Sequence, residues 1–345
     1  MEDCGFSSIE EVNLALVRGR YEPNDLYNIF LRGTKLREDG TRQITGSESE
    51  FHNLGATFAR SGNTMLAAGV AKVGVEIYPL STDLLADIIK YSSEIGDIKS
   101  SRRGVEMLTK VDRKFWTWRT FTFAIDYFKD SRYQCSSANE IEKNFEDAFE
   151  LIREFKKYIP FEERAYVAEA EIYEILNEYQ KKEDALLEGI RCVAVAPQCC
   201  MKLADYYLEL GKYDLVVKYA QYAILAASQD QPSISLGYVY FIYALALDAI
   251  RIKKIIDGDE CDLLETERIV TALKTADNLF VSEGRKTVSY RQTIEAKLIA
   301  IRVKKGENPT ASEEKEKKEL LSMINNIKAL MDSKTNGDIE KSDFE

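Results

Sequence analysis

A turn signal repeats through this chain at a fixed spacing. Gly62-Asn63 is followed thirty-four residues later by Gly96-Asp97, and each lies between stretches whose apolar residues recur every three to four positions. Amphipathic helices joined in pairs by a short glycine turn restrict the chain to stacked pairs. Each pair carries apolar stripes on two sides and buries them only against its neighbours. Strand signals are nearly absent: β-branched alternation appears in scraps, whereas helical periodicity runs almost end to end. Six prolines in 345 residues agree, because proline breaks helix interiors.

Ser8 caps a helix over residues 9–18, and Pro23-Asn24-Asp25 opens a second over residues 26–36. Residues 37–49 are polar, hold Gly40 and Gly46, and read as a loop. Residues 1–48 are therefore an N-terminal helical extension or cap. The paired pattern occupies residues 49–305. A charged stretch at 306–332, with Leu320, Leu321, Ile324, Ile327 and Leu330 on one stripe, reads as a capping helix, and 333–345 as a disordered acidic tail.

Two of the pairs carry a recognisable motif. The first has Phe51-x2-Leu54-Gly55-x2-Phe58, then Ala67, then Pro79; another has Leu203-Ala204-x2-Tyr207, the turn Leu210-Gly211-Lys212, then Ala220 and Ala223. These stretches resemble the tetratricopeptide repeat, whose pattern is Trp-x2-Leu-Gly-x2-Tyr, then Ala-x3-Phe, then a closing proline. Ala71 departs from it where a bulky aromatic is usual, and Val216 replaces the usual alanine. Trp118-x2-Phe121 fits loosely as a third unit, and in a fourth Tyr173 is bulky where glycine or alanine is preferred. The resemblance implies an all-α, right-handed superhelical solenoid of antiparallel helix pairs with a concave groove. It also implies a function in binding another protein or a peptide.

Composition narrows the chemistry. Lysine and arginine number 47 against 58 acids, a net charge of −11, which disfavours a nucleic-acid partner. His52 is the single histidine, which removes most metal and proton-shuttle chemistry. No glycine-rich phosphate loop and no nucleophile elbow is present, so neither enzyme nor cofactor is expected. Residues 1–6 lack the apolar core of a leader and the longest apolar run is too short to span a bilayer. A cytoplasmic protein without a membrane span is the expectation. Cys192, Cys199 and Cys200 read as small packing residues at helix contacts.

The resemblance places the first helix of each unit along the groove. That register puts Glu174, Asn177 and Glu178 on one helix and Asp205 and Glu209 on the next, an acidic set suited to a basic segment. Lys99, Arg102, Arg103 and Arg113 form the alternative, a basic patch. Some members of the family clamp a partner's C-terminal carboxylate with lysine and asparagine. The corresponding positions here include His52, Ala56, Ala86, Lys90 and Arg119, so that pattern is absent. The reading is an adaptor or scaffold of undetermined oligomeric state; the alternative is a ligand-responsive regulator that changes superhelical form on binding.

Overall fold

The computed structural model describes residues 5–227, 234–258, 263–283 and 288–304. The capping helix and acidic tail expected at 306–345 lie outside them. The described residues are helical, and consecutive helices form antiparallel pairs. The chain divides into two compact units, one ending at Val193 and the next beginning at Ala194.

The first unit opens with α1 (Ile9–Val17) and α2 (Pro23–Thr34), followed by the pairs α3 (Glu48–Arg60) with α4 (Thr64–Ile77) and α5 (Thr82–Glu94) with α6 (Ile98–Leu108). Then come α7 (Trp118–Ser131) with α8 (Ala138–Tyr158) and α9 (Arg164–Ile175) with α10 (Tyr179–Cys192). Helix starts follow the sequence closely. Ser8, Ser81, Asp97, Thr117 and Ser137 each accept a backbone N–H of the first turn, and Ser47 with Glu50 makes a reciprocal capping box.

The N-terminal helices pack on the first pair, α1 on α3 and α2 on α4. Phe30 meets Phe51 at 6.0 Å and Tyr27 meets Phe58 at 6.1 Å between ring centroids. The polar stretch before α3 is tied down rather than free. Ile44 is fully buried, and its N–H donates to Gly33 O at 2.8 Å. A Cβ on Gly33 would come within 2.3 Å of the Ile44 side chain, so this close approach requires glycine. Ile9 N donates to Thr45 O, and Thr45 N to Ser7 O, at 2.9 and 3.2 Å. The Arg42 guanidinium donates to Thr34 O.

In four of the pairs, though not between α7 and α8, the turn holds a residue at positive φ. Gly62 and Gly96 adopt it thirty-four residues apart, and Asn177 and Gly211 adopt it thirty-four apart again. Asparagine is one of the few residues that tolerates this conformation. Asn177 is therefore the equivalent of Gly211, which corrects the register of the fourth unit. Tyr173 matches Tyr207, not the small position; that position is Ala170, 1% exposed, equivalent to Ala204. Between Gly96 and Asn177 the spacing exceeds two periods by thirteen residues, taken up by a 3-10 turn (Arg132–Gln134) and the twenty-one-residue α8.

The second unit contains α11 (Pro197–Glu209), α12 (Tyr213–Ala227), α13 (Leu236–Asp257), α14 (Leu263–Glu283) and α15 (Val288–Lys304). Leu203, Ala204, Tyr207 and Ala220 are buried, as are Phe51, Leu54, Phe58 and Ala67 in the first unit. Gly55 is less constrained than a close helix contact implies: a Cβ there would meet nothing nearer than 3.7 Å. Cys199 and Cys200 are buried, but Cys192 is exposed at the end of α10, a correction to its reading as a packing residue. Among the described residues no helix is long and apolar enough to cross a membrane.

Candidate binding face

Three first helices present a connected set of polar side chains. His52 on α3 places Nδ1 2.6 Å from Asp87 Oδ2 on α5. Arg119, in the first turn of α7, donates to Asp87 Oδ1 at 2.8 Å and to His52 Nε2 at 3.3 Å. A guanidinium only donates, so Nε2 accepts and the ring proton belongs on Nδ1, where it is given to Asp87. Asp87 is 1% exposed, and a carboxylate so buried demands partners of this kind. Beside it the Tyr91 hydroxyl is raised above its usual range, first by burial and then by the charge on Asp87.

Lys90 lies on the same helix as Asp87. Its Nζ stands 5.3 Å from the Tyr91 ring centroid and 5.6 Å from that of Phe123, and it makes no ion pair among the described residues. Arg119 also lies over Phe123, at 5.7 Å. Arg119 is already paired with Asp87, whereas Lys90 is positioned over aromatic faces without being neutralised. Further along α7, Lys129 bridges Asp126 at 2.7 Å and Glu171 on α9 at 2.9 Å. Burial pulls its pKa down, but the two carboxylates outweigh burial and raise it. Asp126 is raised by burial in spite of that lysine.

The acidic set expected from sequence is not assembled in this way. α9 ends at Ile175, so Asn177 and Glu178 stand in the turn and at the start of α10, not on the helix. This correction has the cause given above: an asparagine, not a glycine, closes the pair. Glu174 is ion-paired to the buried Lys182 at 2.9 Å and Glu178 to Lys181 at 2.5 Å. In the second unit Asp205 accepts the Tyr238 hydroxyl, which burial and this bond hold far above its usual range. Glu209 is the last residue of α11. On the basic side, Lys99, Arg102 and Arg103 are exposed on α6, with Arg102 bonded to Tyr127. Arg113 is committed elsewhere, to Glu154 at 2.7 Å and to the Trp116 ring at 3.8 Å.

Asp87 is the residue that sequence reasoning missed. The one-period equivalent of His52 is Ala86, so the partner sits one position off the expected register. Thirty-five residues separate His52 from its carboxylate.

Comparison with solved structures places the architecture. Yeast Tom70 superposes with a TM-score of 0.53 at 12% identity, over 94% of this chain and 64% of Tom70. The fold is the tetratricopeptide-repeat fold. A tetratricopeptide repeat protein from Parabacteroides merdae matches at 12% identity over 83% of this chain and 96% of its own, with a TM-score of 0.48. A thermophilic tetratricopeptide-repeat protein of Thermus thermophilus matches at 16% identity over 58% and 99%, with a TM-score of 0.46. No family model matches the sequence, and no curated protein does either. At these identities the likeness is one of fold.

Proposed function

We propose that this chain is a protein- or peptide-binding repeat module, without catalytic activity, whose partner lies across the first helices α3, α5 and α7. The observation that carries the reading is the His52–Asp87–Arg119 link. It fixes three successive first helices to one another and leaves Lys90 and Phe123 as a cation and a ring on the same face. A preformed face loses less entropy on binding than a mobile one. The partner that fits is a segment with a carboxylate for Lys90 and an apolar group for Phe123. The acids Glu174, Glu178 and Asp205 support a basic partner less well, since each already has a donor in the fold.

Selection of a displayed random-peptide library on the full chain tests this. Enriched peptides should be acidic with an apolar neighbour, bind more weakly as salt rises, and lose at least fivefold in affinity on Lys90→Glu. Enrichment of basic peptides indifferent to Lys90→Glu would overturn the assignment in favour of the acidic set. Small-angle scattering with and without a selected peptide separates an unchanging adaptor from a regulator that changes form.

A further inference from the structure

His52 is the single histidine of the chain, and both nitrogens of its ring are engaged. Nδ1 donates to Asp87, and Nε2 accepts from Arg119 Nη1 across 3.3 Å. The second contact exists only while the ring is neutral. A charged imidazolium carries a proton on both nitrogens and accepts nothing. Ring and guanidinium would then meet as two donors and two cations. With a neutral ring the charges of Asp87 and Arg119 cancel; one added proton leaves the link with a net positive charge. Histidine changes charge between about pH 5 and pH 8, and the His52 side chain is 27% exposed.

The charges around the ring come from four helices. On α5, Asp87 is already shared with Arg119, Asp83 stands 3.7 Å from Arg119 Nη1, and Lys90 lies one turn beyond Asp87. Glu48, one turn earlier on α3, accepts from Ser81 Oγ. On α1, Glu11 is bonded to Ser7, and Glu10 faces Glu50 and Asn53. On α4, Lys72 is paired with Asp97 and Glu76 is exposed. The carboxylate bonded to the ring is thus Asp87, on which a second cation already draws.

We infer that His52 is a proton-operated switch on this face. Charging the ring loosens Arg119 from it and adds a positive charge one turn from Lys90, so an acidic peptide is held more tightly in mild acid. The inference rests on the peptide site proposed above. Its sign distinguishes it from titration of the peptide itself, whose carboxylates lose charge on acidification and bind more weakly. Reciprocity requires that a bound acidic peptide make His52 easier to protonate.

A lone histidine gives one set of imidazole resonances, so nitrogen-15 spectra of the full chain read its tautomer and charge without any substitution. At about pH 8 the proton should sit on Nδ1, and by about pH 5.5 the ring should be charged. An acidic, Lys90-dependent peptide from the library should bind about fivefold or more tightly at the lower pH. At saturation it should move the imidazole transition to higher pH. His52→Asn keeps a donor for Asp87 and cannot titrate, so it should abolish the gain; a melting curve checks that it is folded. A ring protonated on Nε2 at the higher pH, or one charge state throughout, overturns the switch. So does a gain that survives His52→Asn, or weaker binding in acid. Recovery of no Lys90-dependent acidic peptide would sink the peptide site and the switch with it. The spectra tell that failure apart from a histidine that does not respond.

Discussion

Lys297 on α15 donates to Asp248 on α13 across 2.6 Å, a contact between residues forty-nine positions apart. Arg251 approaches the other oxygen of the same carboxylate at 2.6 Å. Asp248 is 4% exposed and Arg251 6%, so the charges are held where an unpaired one is costly. α13 and α15 are thereby joined through a single carboxylate.

Asp248→Asn should destabilise the protein by about 3 kcal/mol, because it leaves Arg251 buried opposite a neutral amide. Replacing all three members with apolar residues of similar size should recover much of that loss. Chemical denaturation of the two variants checks both statements. A single variant as stable as the wild type would mean the carboxylate is dispensable.

Acid should weaken the fold through two carboxylates. Asp97 is held down to about 2, first by the Lys72 ammonium that donates to it and then by Ser100. Burial pushes Asp248 up, but Lys297 and Arg251 override burial and its pKa is lowered. A carboxylate depressed in the folded state stabilises above its unfolded value and loses that contribution as pH falls through the folded one. The loss for Asp97 thus runs from about pH 4 down to about pH 2. Asp126, raised by burial, acts in the opposite sense. Unfolding midpoints measured between pH 5 and pH 2.5 should fall less steeply for Asp97→Asn, which keeps the helix cap and removes the charge.

The corrected register makes its own forecast. Asn177 has φ 59° and Gly211 φ 67°, and a β-branched residue in that conformation is strained. Asn177→Val should cost about 1–3 kcal/mol, while Asn177→Gly should be neutral or stabilising. Thermal melts of the two variants decide it; indifference to valine would return the turn to another residue.

Removing Arg119 should be felt at Asp87 before it is felt at any partner. Arg119→Met leaves a 1% exposed carboxylate with His52 alone, at a cost of about 3 kcal/mol or more. Adding Asp87→Asn should restore part of the stability, a coupling that a double-mutant cycle measures. Simple additivity would show that the three side chains do not act together.

Much of this fold was legible beforehand because packing repeats at a period. The Gly62 and Gly96 turns, the cap at Ser8, and the buried sets around Leu54 and Leu203 all follow from residues that act locally. The fourth unit was misread because the left-handed turn there is built on asparagine, which carries a weaker signal than glycine. That single substitution shifted Tyr173, Asn177 and Glu178 onto the wrong positions. The polar link at Asp87 was hidden for a different reason. It joins three helices spaced along the sequence, and its partners are chosen by side-chain reach rather than by period. Trp116 and Trp118 divide as their surroundings dictate, the first 4% exposed against Phe121 and the second 37% exposed under Arg164.

The tether at Ile44 has a consequence for how the chain is cut. Residues 37–47 carry two tryptic sites, Arg37 and Arg42, in a stretch that its polarity alone marks as open to a protease. A protease needs several residues of backbone drawn out into its cleft. Here the backbone N–H of Ile44 is held by Gly33, Thr45 is bonded to Ser7 and Ile9, and Arg42 itself is anchored on Thr34. Cleavage after Arg42 therefore has to wait for α1 and its partners to let go. The rate of nicking at that bond becomes a clock for local opening of the N-terminal helices.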